Sequence, residues 1–481
     1  MIRTMFIILL IYGLGGLAYA QVLHQQIGGR VSVVGGGLGI AGVAVTDGRT
    51  VVLTDTLGRY TLDLAHDAEL VYVTLPAGYQ IPLGDGRPYF YRRLNDRQTP
   101  ATSYDFELEE SAADKKHAMI VIGDPQVYKL KDVDSCRSYA EDLLRYAKTE
   151  LRDYVLHGLL TGDMVGDQPQ LLSALTEVFS GTGIPFFYTK GNHDLRPDSR
   201  SNALATRDFE RDFGPNYYAF NRGNVHYVVL DNVFYLGRGH EYVGYLPEGQ
   251  LQWLEQDLKT VPTGSMVVVS LHIPTAHKPF RKDNQQQVMR NARHLYALLE
   301  PYQVHIISGH THLQDHYQPA PHIWEHTQAS LSGIFWQGPD CADGTPPGYS
   351  IYLTDGDDFS WRYKAIGKSD KHQFRAYAVG ENPERVNDLT VLVWNWDPHW
   401  KVGWYENGVY KGLMTNYVGR DPRTTREVST HKATYDYDWI WTTETDHLFY
   451  AHPAKADSEI TVEVEDRFGN KFKEDVQRKK R

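Results

Sequence analysis

The sequence predicts an α/β domain with an all-β domain on either side, and three observations carry that prediction. Five short apolar runs between Ala118 and Ser308 each break at a glycine or polar residue and lead into a carboxylate, amide or imidazole. Segments with apolar residues at helical spacing alternate with those runs, as expected of a sheet covered by helices. On both flanks the texture changes to short strand-like runs separated by Gly, Asp and Pro.

In chain order, residues 1–20 read as a targeting segment. Arg3 supplies the positive end, Met5 to Leu17 the apolar stretch and Ala18-Tyr19-Ala20 a small-residue cleavage site. The apolar stretch is shorter than the ~20 residues that span a bilayer. Cleavage after Ala20 would leave a secreted or periplasmic protein starting at Gln21, without a transmembrane anchor. Residues 21–112 then read as a small β module, with runs at Val31–Val34, Val43–Val45, Thr50–Leu53, Tyr60–Leu64 and Leu70–Val73. Its Gly42–Gly48 and Thr54–Tyr60 stretches resemble the prealbumin-like or carboxypeptidase regulatory-like β-sandwiches, which implies a packing module without chemistry of its own.

The polar stretch Glu107–His117 links this module to the α/β domain, placed at residues 113–365. Helices are expected at Asp134–Leu151, Leu171–Phe179, Pro247–Leu258 and Arg290–Leu299. Beyond Trp361 a C-terminal β domain is expected over residues 366–481. Six of the ten tryptophans fall between Trp394 and Trp441, either packing a small sandwich or forming a sugar-stacking or partner surface. The basic end Gln477–Arg481 reads as a solvated terminus.

A net charge of −11 over 481 residues argues against a broad nucleic-acid-binding surface, which needs clustered Lys and Arg. Only two cysteines, Cys136 and Cys341, are present, so disulfides do not build the fold.

The chemistry collects where the apolar runs end, because polar groups at the carboxyl edge of an α/β sheet share one crevice. Gly123 leads into Asp124 and Gln126, Thr161-Gly162 into Asp163, Gly191 into Asn192-His193-Asp194, Leu271 into His272, and Gly309 into His310 and His312. Carboxylate, amide and imidazole donors in this number suit two divalent or trivalent ions. Asp163 would bridge them. Asp124, Gln126 and His312 would complete one ion's shell, and Asn192, His272 and His310 the other's. His193 stays free of metal and is the candidate proton donor to a leaving oxygen. Asp167, Asp194 and Asp231 are candidates to brace the ligands. His226, His305 and His322 read as packed imidazoles, and Arg196, His277, Lys278 and Arg281 as solvated loop charges.

This order of motifs resembles the calcineurin-like metallophosphoesterase superfamily across residues 117–365, and the full layout resembles its secreted bacterial members. The resemblance implies a four-layer αββα core, a dinuclear site of Mn, Fe or Zn, and hydrolysis of phosphate mono- or diesters through a metal-bridging hydroxide. The substrate expected is a phosphorylated small molecule, lipid or glycan. Two departures qualify it. Gln126 stands where the family usually has His, which keeps open a non-catalytic metal-containing binding protein. Gly166 stands where purple acid phosphatases carry a Tyr, so that subgroup is not expected. Recruitment to glycans by the Trp-rich domain is a third reading.

Overall fold

The computed structural model describes residues 25–94, 103–111, 114–281 and 286–476. The expected targeting segment and the basic C-terminus lie outside the described residues. Among the described residues no helix is long and apolar enough to cross a membrane.

The central domain is built on two sheets. The first contains β1 (Lys116–Ile122), β2 (Val155–Leu160) and β3 (Phe186–Tyr188) in parallel, extended from β1 by an antiparallel hairpin, Gly348–Asp355 and Asp358–Ala365. The second contains β4 (Tyr218–Arg222), β5 (Val225–Val229), β6 (Met266–Ser270) and β7 (Gln303–Ser308), continued by β8 (Asp315–Ala320) and β9 (Ile323–Thr327). Strands β5, β6, β7 and β9 run parallel.

Side-chain alternation along single strands shows the layering. Ala118, Ile120 and Ile122 of β1 pack against Val133, Cys136 and Leu143 of helix α1 (Leu130–Glu150) and Leu175 of helix α2 (Leu172–Ser180). Met119 and Val121 of the same strand face the other way, into a core with Tyr227, Val268 and Ile307 of the second sheet. Val267 and Val269 then face helices α3 (Glu248–Leu258) and α4 (Ala292–Leu299) through Trp253, Leu254 and Leu295. The result is helix, sheet, sheet, helix: the four-layer αββα core.

The expected helices are all present, with shifted ends. Helix α1 begins four residues earlier than its apolar spacing suggests, because the Asp132 carboxylate accepts from the Tyr128 and Lys129 amides and so caps the first turn. The N-terminal module is a three-stranded and a four-stranded sheet with a short hairpin, Leu83–Gly84 and Arg87–Pro88. Its core is continuous with the inter-sheet layer, Phe90 packing on Tyr218 and Phe187.

The C-terminal module pairs two four-stranded sheets. It also carries a helix, Pro422–His431, which the all-β reading did not include. The Asp421-Pro422 start was the overlooked cue. The Asp421 carboxylate accepts from the Thr424 amide, and Pro422 occupies the first turn, where its missing N–H costs nothing. Trp394, Trp400 and Trp404 are core residues, whereas Trp439 and Trp441 are exposed. Cys136 and Cys341 are separate buried thiols.

Candidate metal centre

Each functional side chain sits just past a parallel strand. Asp124 and Gln126 follow β1, Asp163 follows β2, Asn192 and His193 follow β3, His272 follows β6, and His310 and His312 follow β7. Five of these residues hold left-handed backbone: Asp124 (φ 39°), Gln126 (39°), Asp163 (48°), His310 (70°) and His312 (59°). Such conformations cost about 1–3 kcal/mol each in non-glycine residues and concentrate at working sites. The motif glycines have a spatial reason. A Cβ on Gly191 would lie 2.1 Å from Asp163 Oδ1, and one on Gly309 would lie 2.5 Å from Asp124 Oδ2.

Hydrogen bonds fix which ring nitrogens are free to act. His272 Nδ1 donates to the Thr161 carbonyl at 2.8 Å, which leaves the Nε2 lone pair facing Asn192 Oδ1 at 3.0 Å and Asp163 Oδ2 at 3.3 Å. His310 Nε2 donates to the Gln286 carbonyl at 3.0 Å, which leaves its Nδ1. Asp163, His272 and His310 present donor atoms within 4.8 Å of one another. Two imidazoles and a carboxylate converging in this way are the donor set a cation requires, the cation taking the place of the proton on His272 Nε2. The electrostatics agree. Burial alone would lower the His272 pKa, but Asp163 and Asp124 raise it to about 9, so a proton is drawn to the place a cation would take.

The second half of the site is looser. Asp124 accepts the His310 amide on both oxygens at 3.0 and 3.1 Å, and His312 Nε2 lies 3.6 Å from Asp124 Oδ1. Gln126 Oε1 and His312 Nδ1 are buried without a hydrogen-bond partner. Orphaned buried acceptors are costly, and a metal ion is one way to satisfy them. Burial, reinforced by the Asp163 carboxylate, pushes Asp124 up to about 8.

His193 is placed differently. Its backbone amide donates to Asp163 Oδ1 at 2.8 Å, while Nδ1 donates to Asp167 Oδ1 at 2.8 Å and Nε2 lies 4.0 Å from Asp163 Oδ2. Burial would lower its pKa, but Asp163 and Asp167 hold it up to about 9. Asp167 therefore orients the His193 ring. Asp194 accepts the Met164 and Gly191 amides, tying the β2 and β3 loops together. Asp231 accepts from Lys190 Nζ at 2.6 Å and from Asn216, a buried brace under the β3 loop.

Two expectations about charges are corrected. Lys278 and Arg281 are buried ion-pair partners rather than solvated loop charges. Lys278 Nζ lies 2.6 Å from Asp446 and 3.3 Å from Asp315, and Arg281 lies 2.7 Å from Asp315. The run of charges on that loop gave no hint that the C-terminal module would supply counter-ions. Arg196 pairs with Asp208 at 2.9 Å. The packed-imidazole reading is met at His226, which bonds Asp257 at 2.8 Å, and at His305, which bonds His326 at 2.9 Å.

Residues missed in the sequence include Tyr128 and Phe335, while Trp439 stands there only as one of the clustered tryptophans. A Cβ on Gly166 would lie 2.3 Å from Tyr128 Cε1, so the Tyr128 ring fills the space of the side chain that Gly166 lacks. The Phe335 ring lies 4.6 Å from the His312 ring. Tyr128 had one available cue, since it stands two residues after Gln126. Phe335 had none.

Three family models match the chain in order: the N terminal of calcineurin-like phosphoesterase over residues 25–111, calcineurin-like phosphoesterase over residues 118–314, and the C terminal of calcineurin-like phosphoesterase over residues 325–472. The chain belongs to the calcineurin-like phosphoesterase family. Among curated proteins, a 3',5'-cyclic-nucleotide phosphodiesterase of Nostoc sp. is 25% identical over 190 residues, 38% of this chain and 65% of that protein. Purple acid phosphatase 23 of Arabidopsis thaliana is 29% identical over 141 residues, 27% of this chain and 28% of that protein. The chain thus spans less than two thirds of either relative. Among solved structures, a dimetal phosphatase from Danio rerio is 16% identical with a TM-score of 0.39, covering 52% of this chain and 97% of that one. A purple acid phosphatase from yellow lupin is 11% identical with a TM-score of 0.37, covering 67% of each chain.

Proposed function

We propose that the chain hydrolyses phosphate mono- or diesters at a two-metal centre bridged by Asp163. The observation that carries this reading is the convergence of Asn192 Oδ1 at 3.0 Å and Asp163 Oδ2 at 3.3 Å on His272 Nε2, together with the orphaned Gln126 Oε1 and His312 Nδ1. Asp163, Asn192, His272 and His310 would hold one ion, and Asp163, Asp124, Gln126 and His312 the other. Ions bound there would supply an activated hydroxide and neutralise phosphoryl charge. The residues do the remainder. Left-handed backbone at five ligands preorganises the donors, so little reorganisation accompanies the reaction. The Thr161 and Gln286 carbonyls lock the His272 and His310 tautomers. His193, oriented by Asp167, holds a proton on Nε2 at the mouth of the site and delivers it to the leaving oxygen.

Gln126 is buried with its acceptor free, which favours a ligand, and turnover separates the hydrolase from a metal-containing binding protein. The test is metal analysis of the purified protein with turnover of simple mono- and diesters in chelated and metal-supplemented forms. Hydrolysis that follows metal content supports the proposal, and a metal-loaded protein inert on every ester would refute it. We further infer export, with Gln21 as the mature N-terminus. Intact mass of exported protein retaining residues 1–20 would overturn that part.

A further inference from the structure

We propose that Tyr437, Trp439 and Trp441 of the C-terminal module, together with Phe335, form a subsite that stacks on a flat ring carried by the leaving group of the ester. The inference rests on the hydrolase reading above and adds the chemistry of the substrate's organic half.

An unbroken run of ring contacts leads out from the centre. Phe335 lies 4.6 Å from His312, and Trp439 lies 4.6 Å from Phe335 at 83°. Tyr437 stacks on Trp439 at 5.2 Å, and Trp441 follows at 6.4 Å. Trp439 and Trp441 are nevertheless 42% and 63% exposed, unlike Trp394, Trp400 and Trp404 of the same module. The rim is also held deliberately. Phe335 (φ 55°) and Trp336 (φ 60°) are consecutive non-glycine residues in left-handed backbone. That conformation lays Phe335 on His312 and aims Trp336 Nε1 at the Pro125 and Gln126 carbonyls, 3.0 and 3.2 Å away. Strain of this kind persists where the surroundings impose it, and it clusters at ligand clamps.

Position and polarity define the occupant. In this proposal the ester extends past His312, where Phe335 and Trp439 are the next surfaces out from the centre. An acyl chain would be matched by an enclosed apolar channel, whereas these indoles stand on an open rim. The edge of the rim is polar: Lys129 Nζ bonds Asp436 at 3.0 Å, and Gln337 bonds the same carboxylate. A flat amphipathic ring satisfies both features, its face on the indole and its edge in water. A sugar and a nucleobase share that chemistry.

The full-length metal-loaded protein, Trp439→Ala, Trp441→Ala and the double variant would be compared on glucose 1-phosphate, adenosine 5'-monophosphate and glycerol phosphate. The double variant is expected to lower kcat/KM for at least one ring-bearing ester about 10-fold relative to glycerol phosphate, through KM, with metal content unchanged. That size is within what one stacked ring contributes. The ester that responds tells sugar from base. Equal losses on ring-bearing and ringless esters, or no loss on any, would overturn the subsite. So would variants that lose binding to phosphatidylglycerol vesicles while keeping the ring preference, because the patch would then be a membrane contact. If no ester is turned over, the hydrolase reading fails by itself. Calorimetric binding of the same three esters then still reads the subsite, which stands only if the variants weaken ring-bearing esters selectively.

Discussion

Two clusters in this molecule present carboxylate and imidazole donors, one carboxylate with two imidazoles in the first and two carboxylates with one imidazole in the second, and they differ in what sits among them. Asp163, His272 and His310 form one, and Asp315, Asp446 and His447 the other. The second is filled. Lys278 Nζ lies 2.6 Å from Asp446, 3.3 Å from Asp315 and 3.2 Å from His447 Nε2, and Arg281 closes on Asp315. The protonation behaviour follows the filling. Burial and Lys278 push His447 down to about 3, while Asp315 is held well below the usual carboxylate range because Arg281 and Lys278 outweigh its burial. At the first cluster His272 moves up instead, and among the described residues its close ionic partner is a carboxylate. Donor geometry alone therefore does not define a metal centre. What separates the two is the Lys278 ammonium already seated in the second.

The largest effect that tests the contrast is at the proposed bridge. Asp163→Asn removes the charge both ions would share, so metal content should fall and turnover drop by roughly 10³-fold or more, as expected when several kcal/mol of charge stabilisation is lost. Retained metal in that variant would mean the cluster does not depend on its carboxylate. His193→Asn should keep the metal and slow hydrolysis of poor leaving groups by ~10²–10⁴-fold, the usual worth of general acid–base help. An emptied site in this variant would make His193 a ligand.

At the filled cluster the prediction concerns stability. Lys278→Met removes the ammonium from part-buried Asp446 and one of two cations from buried Asp315, so the cost should approach the ~3–5 kcal/mol of breaking a buried pair. Urea unfolding measures it, and metal at the other cluster should be unchanged. If the variant instead takes up an additional ion that restores stability, the two clusters differ only in occupancy. Acid should act on the same junction. Burial lowers His316 to about 4, with Lys278 contributing, below the unfolded value of ~6.5. Above pH 6.5 both states are neutral. Between pH 6.5 and 4 the unfolded chain takes a proton that the native ring refuses, so stability is lost as pH falls, by at most about 1.4 kcal/mol per unit for this one group. His316→Gln should shallow the fall in melting temperature over that window, and an unchanged slope would remove His316 from the account.

The sequence exposed the first cluster and concealed the second for a physical reason. Asp124, Asp163, Asn192, His272 and His310 each end an apolar run, so strand and ligand are contiguous and the sheet edge gathers them. Lys278 and Asp446 are 168 residues apart and belong to different modules, and no local pattern announces their meeting. The same holds for the contact between Phe335 and Trp439. Of the layers, the αββα order was legible only through the family resemblance, because alternating burial of β1 on two cores is invisible in a run that is apolar throughout. Helix Pro422–His431 was legible in its Asp-Pro start and was passed over among the surrounding strands.

The smallest and most discriminating effect compares the two halves of the proposed metal centre. The half with His272 and His310 has two imidazoles whose tautomers are fixed by carbonyls. The other half has His312, with its Nδ1 unpartnered, and the amide oxygen of Gln126. An amide oxygen is a harder and weaker donor than imidazole, so this half should bind second and favour Mn or Mg over Zn relative to its neighbour. Calorimetric titration of stripped protein should then show one tight and one weaker event, with activity following the weaker. Gln126→His supplies an imidazole at the same buried position, and should tighten the weak event and reduce the dependence of activity on added Mn. The left-handed backbone at residue 126 is unfavourable for either residue, so the substitution adds little strain of its own. Two indistinguishable binding events in the native protein would erase the difference between the halves. An unchanged weak event in Gln126→His would show that its orphaned oxygen faces something other than a metal.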